Sequence, residues 1–409
     1  MLNPYIEAWQ LREMVVRKGA RPKEVAEFFL ARIERLNPKL NAFMTVTAER
    51  ALADAARLEK SDPDSMALYG VPYSLKDLTP TKGIRTTFGS RNFADNVPNA
   101  DIEFAVRLHK AGGILLGKTA PPEFGGRPTT EGGLCPPARN PWNVAHTTGG
   151  FSGGAAAAVA AGLNPLAEGS DGGGSVRIPS ACCGTVGLKP SRGHISLAPV
   201  WGELWGGLFT NGPITRSVRD AAMMLDVMAV EVAGDPYFAP RSVRTFQSAL
   251  QLRPTKLRLA TLSKSALGHE LEPVDIDPAA DLVGCFGNVV AGNIAAVAFK
   301  DPELIDPIVR VFYEAGRTMS ATQYINAVLE MHNKSRAIVQ RLMPYDALLT
   351  PMLARPAMLI YSRSIPFAAS RSLRRRSSCR VWRVNCAACR PWSWCVLERS
   401  RRDTGWLSI

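Results

Sequence analysis

The sequence contains no run of 18 apolar residues, which is about the length that a membrane-spanning helix needs. Its best candidate, residues 155–167, is interrupted by Gly162, Asn164 and Pro165. The first ten residues carry Glu7 and lack the basic-then-apolar pattern of a secretory signal. These absences predict a cytoplasmic chain with no membrane partner.

Two nucleotide-binding signatures are also missing. The sequence has no GxxxxGK[ST] segment for a P-loop, and no GxGxxG after a strand with an acid about 20 residues later for a dinucleotide. The five histidines are scattered. The cysteines of the body show no disulfide or metal-ligand spacing and are expected to be buried thiols, namely Cys135, Cys182, Cys183 and Cys285. We therefore expect no cofactor and no metal.

The net charge of +13 is concentrated in residues 361–409, which hold 11 Arg, no Lys and two acids. The same segment holds four of the eight cysteines and four of the eight tryptophans. Such a segment could bind nucleic acid through phosphate contacts and stacking, or zinc, but it has no paired CxxC knuckles and no nearby histidine. Its mixture of Arg, Ser, Cys and Trp is typical of a shifted reading frame, which is the interpretation we favour, so nucleic acid is not an expected partner.

The rest of the chain alternates helical and extended patterns, which predicts an α/β domain with a covered sheet. We place this domain at residues 1–358, with an internal deletion near residue 266, and the disordered or frameshifted tail at 359–409. Helices are predicted over 6–16, 22–36, 47–60, 102–111, 155–161 and 218–230. Strands are predicted over 70–75, 113–117, 163–167 and 256–262.

Glycine is concentrated in residues 148–154 (TGGFSGG) and 169–175 (GSDGGGS). Three glycines lead directly into Ser175, so a serine hydroxyl could attack a carbonyl while the preceding N–H groups stabilise the oxyanion. The alternative is a pair of tight turns. The base that such a serine needs is best supplied by Lys76, because a lysine buried at the end of an apolar strand loses solvation and its pKa falls. The alternative is a surface lysine paired with Asp77.

Longer segments carry a resemblance to a known family. They are GVPYSLKDL (70–78), GKTAPPEFG (117–125), NPWNVAHTTGGFSGGAAAAVAAG (140–162), GSDGGGSVRIPSACCGTVGLKPSRG (169–193) and GPITRSVRDAAMMLDVMA (212–229). Together they closely resemble the amidase signature family, and the resemblance resumes weakly up to LLTPMLARP (348–356). It implies a mixed twisted β-sheet core covered by α-helices on both faces, incomplete here at the C-terminus.

The resemblance also implies hydrolysis of amide C–N bonds through an acyl-enzyme, with a Ser–cis-Ser–Lys arrangement. Ser175 then corresponds to the nucleophile and Lys76 to the base. The oxyanion hole corresponds to the N–H groups of Ser175 and of the three glycines before it, Gly172, Gly173 and Gly174. Near the site, structural roles are implied for Asp171, Arg177 and Ser170.

One position departs from the family pattern. The family motif GGSSGG uses its first serine to relay the proton between lysine and nucleophile, and that position is Phe151 here. Only the second serine is present, as Ser152, and it is a weak substitute. We therefore expect an amidase of severely reduced activity acting on a small-molecule amide. Two alternative functions stay open: an inactive pseudoenzyme, and the glutaminase-type subunit of a tRNA-dependent amidotransferase. The assembly we consider for the amidase is a homodimer.

Overall fold

The computed structural model describes residues 2–240, 244–252, 257–261, 270–274, 278–353, 356–360, 394–399 and 406–408. The deletion predicted near residue 266 and most of the tail lie outside these described residues. None of the described helices combines the length and apolarity that crossing a bilayer requires.

Eleven α-helices are found among the described residues. They are α1 Ala8–Val16, α2 Pro22–Leu40, α3 Ala48–Leu58, α4 Glu103–Lys110, α5 Gly153–Ala160, α6 Arg177–Cys183, α7 Val218–Met228, α8 Phe246–Ala249, α9 Pro278–Ala295, α10 Pro307–Thr318 and α11 Ala321–Leu342.

Thirteen strands are described. They are β1 Phe43–Val46, β2 Pro72–Lys76, β3 Ile114–Thr119, β4 Arg139–Asn140, β5 Asn143–Thr147, β6 Leu166–Asp171, β7 Val186–Gly187, β8 Thr210–Thr215, β9 Arg258–Thr261, β10 Glu270–Pro273, β11 Ala347–Pro351, β12 Trp394–Arg399 and β13 Trp406–Ser408. They form a six-stranded sheet of order β1-β3-β2-β6-β8-β7, a five-stranded sheet of order β10-β9-β11-β12-β13, and the pair β4-β5.

Both larger sheets are mixed. In the first, β3, β2 and β6 run parallel to one another, while β1, β8 and β7 pair antiparallel with their neighbours. In the second, β10, β9 and β11 are parallel, and β12 and β13 add antiparallel. The mixed α/β fold predicted from the sequence is therefore confirmed.

Helices cover both faces of the six-stranded sheet, as strand β3 makes clear. Leu115 belongs to an apolar cluster with residues of α4 and α7, whereas Ile114 and Leu116 belong to another cluster with residues of α2, α3 and α5. Because neighbouring side chains of a strand point to opposite faces, these two clusters lie on opposite sides of the sheet. The sheet is thus buried on both faces, and its strand ends are where polar side chains can meet.

The predicted helices α1 to α5 and α7 are present within a few residues of their expected bounds. Strand β6 differs most: extended structure was expected over 163–167, but the strand runs from Leu166 to Asp171 and so reaches the glycine-rich segment. The tail contributes β12 and β13, which the sequence did not predict. The domain boundary at residue 358 stays a prediction.

Candidate active site

The ends of two neighbouring strands bring the predicted base to the glycine-rich segment. Strands β2 and β6 are parallel, so their carboxyl ends meet at one edge of the sheet, where α/β proteins commonly bind ligands. Lys76 is the last residue of β2, and Ser170 lies at the end of β6. Lys76 Nζ donates a hydrogen bond of 2.9 Å to Ser170 Oγ. The direct partner of the lysine is therefore Ser170.

Lys76 is fully buried, so it is not the surface lysine of the alternative interpretation. Burial lowers the pKa of Lys76 to about 7, and the negative charges of Glu168 and Asp171 only partly oppose this effect. A lysine with such a pKa is substantially neutral at physiological pH and can accept a proton.

The candidate nucleophile lies in the loop after β6. Ser175 is 2% exposed, and its Oγ has no hydrogen-bond partner in the described part of the chain. Its backbone carbonyl accepts a hydrogen bond of 3.1 Å from the N–H of Ser152. A buried hydroxyl without a partner loses the hydrogen bonds that water gave it, so the arrangement suits a group held ready for a substrate.

Asp171 braces this loop from the end of β6. One carboxylate oxygen accepts the N–H of Gly174 at 2.7 Å, and the other accepts the N–H of Val176 at 3.2 Å. Arg177 donates to both oxygens, at 2.9 and 3.0 Å. Burial alone would raise the pKa of Asp171, but the Arg177 guanidinium and these hydrogen bonds hold it well below its usual range.

This brace engages one of the N–H groups that the resemblance assigns to an oxyanion hole. Because the N–H of Gly174 is directed at Asp171, it is not free for a substrate in this structure. The N–H groups of Gly172, Gly173 and Ser175 have no acceptor among the described residues. Of the four N–H groups that the resemblance assigns to an oxyanion hole, three are therefore unengaged in the described part of the chain, and that of Gly174 is held by Asp171.

Ser152 sits beside Ser170 but not on the lysine. Its Oγ lies 3.3 Å from the carbonyl oxygen of Ser170, to which it donates, and accepts the N–H of Ser170 at 3.2 Å. The hydroxyl is thus engaged with the backbone of β6. This geometry supports a scaffolding position for Ser152 and gives it no direct bond to Lys76.

Phe151 is the residue that the resemblance aligns with the relay serine. The Gly150–Phe151 peptide bond is cis. The half-buried Phe151 ring packs against an apolar cluster that contains residues of α9, α10 and α11. Phe151 brings an apolar side chain where the family motif has a hydroxyl, and a phenyl ring can neither accept nor donate a proton.

Two aromatic side chains of the same cluster pack directly on the glycine-rich loop. A methyl group placed on Gly172 would lie 2.6 Å from the Trp205 ring, and one placed on Gly173 would lie 2.7 Å from the Phe286 ring. Both distances are shorter than a carbon–carbon contact allows. Because Gly172 and Gly173 have no side chain, the Trp205 and Phe286 rings lie close to their backbone amides. We call these two rings the apolar wall.

Sequence reasoning missed the residues that hold Lys76. Glu168, Thr79 and Asn211 form hydrogen bonds around the end of β2, and Ser170 was given only a structural role. The signal that could have found them is strand pairing, because Lys76 and residues 168–170 follow directly on the paired residues of β2 and β6.

Among the described residues, no group of three His, Cys, Asp or Glu side chains is placed to hold a metal ion.

Comparison with known proteins extends the description. The family model described as Amidase matches residues 24–275. An amidase-like protein of Synechocystis sp. is 35% identical over 375 residues, which cover 85% of this chain and 73% of that protein. An acylamidase of Rhodococcus erythropolis is 41% identical over 268 residues, covering 65% and 56% of the two chains. A glutamyl-tRNA(Gln) amidotransferase subunit of Nitratidesulfovibrio vulgaris is 41% identical over 246 residues, covering 59% and 50%.

The fold has solved counterparts as well. The structure of 6-aminohexanoate cyclic dimer hydrolase with its substrate superposes with a TM-score of 0.81 at 28% sequence identity, covering 88% of this chain and 82% of that one. In sequence, this chain spans only about half the length of the acylamidase and of the amidotransferase subunit.

Proposed function

The chain belongs to the amidase family, and from this premise we propose that it cleaves carboxylic amide C–N bonds through an acyl-enzyme formed on Ser175. The observation that carries the proposal is that a buried lysine of lowered pKa lies at the same edge of the sheet as a buried serine hydroxyl with no partner among the described residues. A neutral amine and an unpaired hydroxyl are the base and nucleophile that acyl transfer needs.

The proposed reaction has two halves. The oxygen of Ser175 adds to the amide carbon while the hydroxyl proton passes toward Lys76, and the N–H groups of Gly172, Gly173 and Ser175 stabilise the oxyanion. The C–N bond then breaks as the leaving amine takes that proton. Water adds to the acyl group in the second half, loses its proton to the same base, and releases the carboxylic acid and the free Ser175 hydroxyl.

The weak step of this chain is proton transfer between Ser175 and Lys76. Lys76 Nζ bonds to Ser170 Oγ, Ser152 Oγ is engaged with the backbone of Ser170, and Phe151 offers no hydroxyl. Removing one member of a catalytic unit that acts together commonly lowers the rate by about 10³ to 10⁶. The proposal is therefore an amidase whose turnover is strongly reduced by Phe151.

The surroundings of the loop favour substrates with an apolar acyl group. Trp205 and Phe286 lie directly against Gly172 and Gly173, and Phe151 belongs to the same apolar cluster. The apolar wall can contact the acyl groups of aliphatic and aryl amides, or of linear and cyclic oligoamides. It offers no polar partner to a charged acyl group, so the free energy lost when that group leaves water would not be compensated. Because Ser175 is only 2% exposed, these side chains must move to admit the amide.

A panel of anilides tests the proposal. We expect slow release of p-nitroaniline from its hexanoyl and benzoyl derivatives, less from the succinyl derivative, and none with Ser175→Ala. Equal rates for the wild-type chain and Ser175→Ala would refute Ser175 catalysis. Faster release from the succinyl compound would refute the apolar substrate class.

Two other functions remain as alternatives. The replacement of the relay serine by Phe151 favours an inactive pseudoenzyme, for which the whole panel would be unhydrolysed. The match to an amidotransferase subunit favours the delivery of ammonia within a larger assembly, for which glutamine would be the substrate and partner proteins would co-purify.

A further inference from the structure

Glu168 is a buried carboxylate that gathers three donors around the end of strand β2. Its Oε2 accepts the backbone N–H of Lys76 at 2.9 Å and the Thr79 hydroxyl at 2.8 Å. Its Oε1 accepts the side-chain amide of Asn211, on strand β8, at 2.7 Å. The side chain is fully buried, so these three bonds replace the solvation it had in water.

The hydrogen bond from the Lys76 N–H to Glu168 lies just beyond the last paired residues of strands β2 and β6. Strands β2 and β6 are paired through Tyr73 with Leu166 and Ser74 with Ala167, and Lys76 lies two residues further along. Its N–H is therefore held by a side chain of β6 and not by the backbone of β6. Loss of the Glu168 carboxylate would leave a buried N–H without an acceptor, which destabilises the position of Lys76.

Glu168 also differs from the other acid that faces the lysine. The charged groups that act on Lys76 are Glu168 and Asp171, both on β6. Asp171 is paired with Arg177 at 2.9 Å, whereas Glu168 takes part in no ion pair among the described residues and accepts only from neutral groups. Its negative charge is therefore available to the nearby buried lysines, Lys76 and Lys118.

We propose that Glu168 is the positioning residue of Lys76: its carboxylate fixes the lysine backbone at the end of β2 and provides the negative charge that keeps the buried side chain able to hold a proton. This inference rests on the proposed role of Lys76 as the base. Without the charge of Glu168, burial lowers the pKa of Lys76 further, because only Asp171, which is already paired with Arg177, opposes it. The lysine would then stay neutral and take up the Ser175 proton less readily.

The direct test is an NMR titration of the full chain labelled at lysine Cε, with Lys76→Met to identify the Lys76 signal. Glu168→Gln keeps the size of the side chain, and rotation of the Asn211 amide, whose Oδ1 has no partner within the described ranges, can accommodate the new donor. We expect the Lys76 midpoint to fall by about one pH unit, since a nearby opposite charge shifts a pKa by about 1 to 3 units. An unchanged or higher midpoint would overturn the proposal.

Glu123→Gln is the matched control. Glu123 is also buried, and its carboxylate accepts the Ser90 hydroxyl and the N–H of Asp306, but it is not among the charges that act on Lys76. We expect the Lys76 midpoint to stay unchanged in this variant. A shift equal to that of Glu168→Gln would show a general effect of losing a buried carboxylate and would overturn the proposal.

A second measurement keeps the inference testable if Glu168→Gln does not fold. In the wild-type chain labelled at glutamate Cδ, one buried glutamate signal should show an inflection at the Lys76 midpoint, and Lys76→Met should abolish it. The absence of this inflection would contradict the proposal. Neither measurement needs turnover, so a chain that hydrolyses nothing but shows both effects would refute only the proposed function.

Discussion

At the scale of single residues, the account depends on the protonation state of Lys76. Burial brings its pKa to about 7, so the neutral amine that can accept a proton becomes the major form only above that pH. We predict that acylation of Ser175 accelerates as pH rises through about 7 and then levels off. Rates measured from about pH 5 to about pH 9 check this; a rate that is flat or falls across this range would contradict Lys76 as the base.

Phe151 gives a second prediction at this scale. Phe151→Ser restores the relay hydroxyl, and we expect the hydrolysis rate to rise by about 10³ or more. Phe151→Ala is the matched control, because it removes the ring without adding a hydroxyl. A gain that is equal in both variants would mean that the ring only blocks access, and no gain in either would refute the relay explanation.

The sequence indicated the proposed nucleophile and base, but not the residues that hold them. The resemblance gives Ser175 and Lys76 a part in the reaction, whereas Glu168 lies just before the 169–193 motif and Ser170, inside that motif, has only a structural role in it. Their roles depend on which strand lies beside β2, and sequence spacing alone does not determine that. The engagement of Gly174 by Asp171 was missed for a similar reason, since it depends on how the loop turns back on the strand end.

At the scale of secondary-structure elements, α9 packs on the glycine-rich loop after β6. A methyl group on Gly173 would lie 2.7 Å from Phe286, so Gly173→Ala must push the helix or the loop aside. We predict that Gly173→Ala abolishes acylation of Ser175, and that adding Phe286→Leu restores part of it by removing the far end of the ring. Mass spectrometry of the acylated protein measures both. Full acylation of the single variant would contradict this contact.

The brace between β6 and α6 gives another prediction. Asp171 is fully buried, so Arg177→Met leaves an uncompensated charge, and we expect a loss of about 3 kcal/mol in the free energy of unfolding at pH 7. The loss should shrink toward about pH 4, because the unpaired Asp171, with a raised pKa, takes up a proton and sheds its charge.

Urea unfolding at the two pH values measures this effect. Arg21→Met is the control, since its ion pair with Glu24 is exposed to solvent, and we expect a change within about 1 kcal/mol. Equal losses in the two variants would contradict a structural role for the buried pair.

Element prediction succeeded for α2, whose apolar periodicity is clear, and for the alanine-rich α3, but it left out α9, α10 and α11. It failed at β6 and β8 because these buried strands contain residues that rarely form strands, such as Asp171, Asn211 and Pro213. Buried hydrogen bonds at the site hold several of these polar side chains, such as Asp171 and Asn211, so tertiary contacts and not local preference stabilise the strands there.

At the scale of the whole molecule, apolar side chains remain on the surface of the α9–α11 region. Ile325 and Leu329 are both more than half exposed and lie one turn apart on α11. Because exposed apolar patches favour association, we predict that the chain forms oligomers as its concentration rises. Sedimentation velocity of the wild type and of Ile325→Lys with Leu329→Lys checks this; identical concentration dependence in the two would contradict it.

The charge of the whole molecule is a poor guide to its partners, since most of the basic excess belongs to residues 361–409 and not to residues 1–360. The family and the fold follow from residues 1–360 alone. The substrate does not, because the apolar wall over the loop is assembled from Trp205 and Phe286, which are far apart in the sequence and carry no motif.

The most direct test of the central claim is reaction with a fluorophosphonate, read by peptide mass spectrometry of the full chain. We predict a covalent adduct on Ser175 that forms slowly in the wild type, faster in Phe151→Ser, and not at all in Ser175→Ala. An adduct on a different residue, or none on Ser175 in either the wild type or Phe151→Ser, would contradict Ser175 as an activated nucleophile.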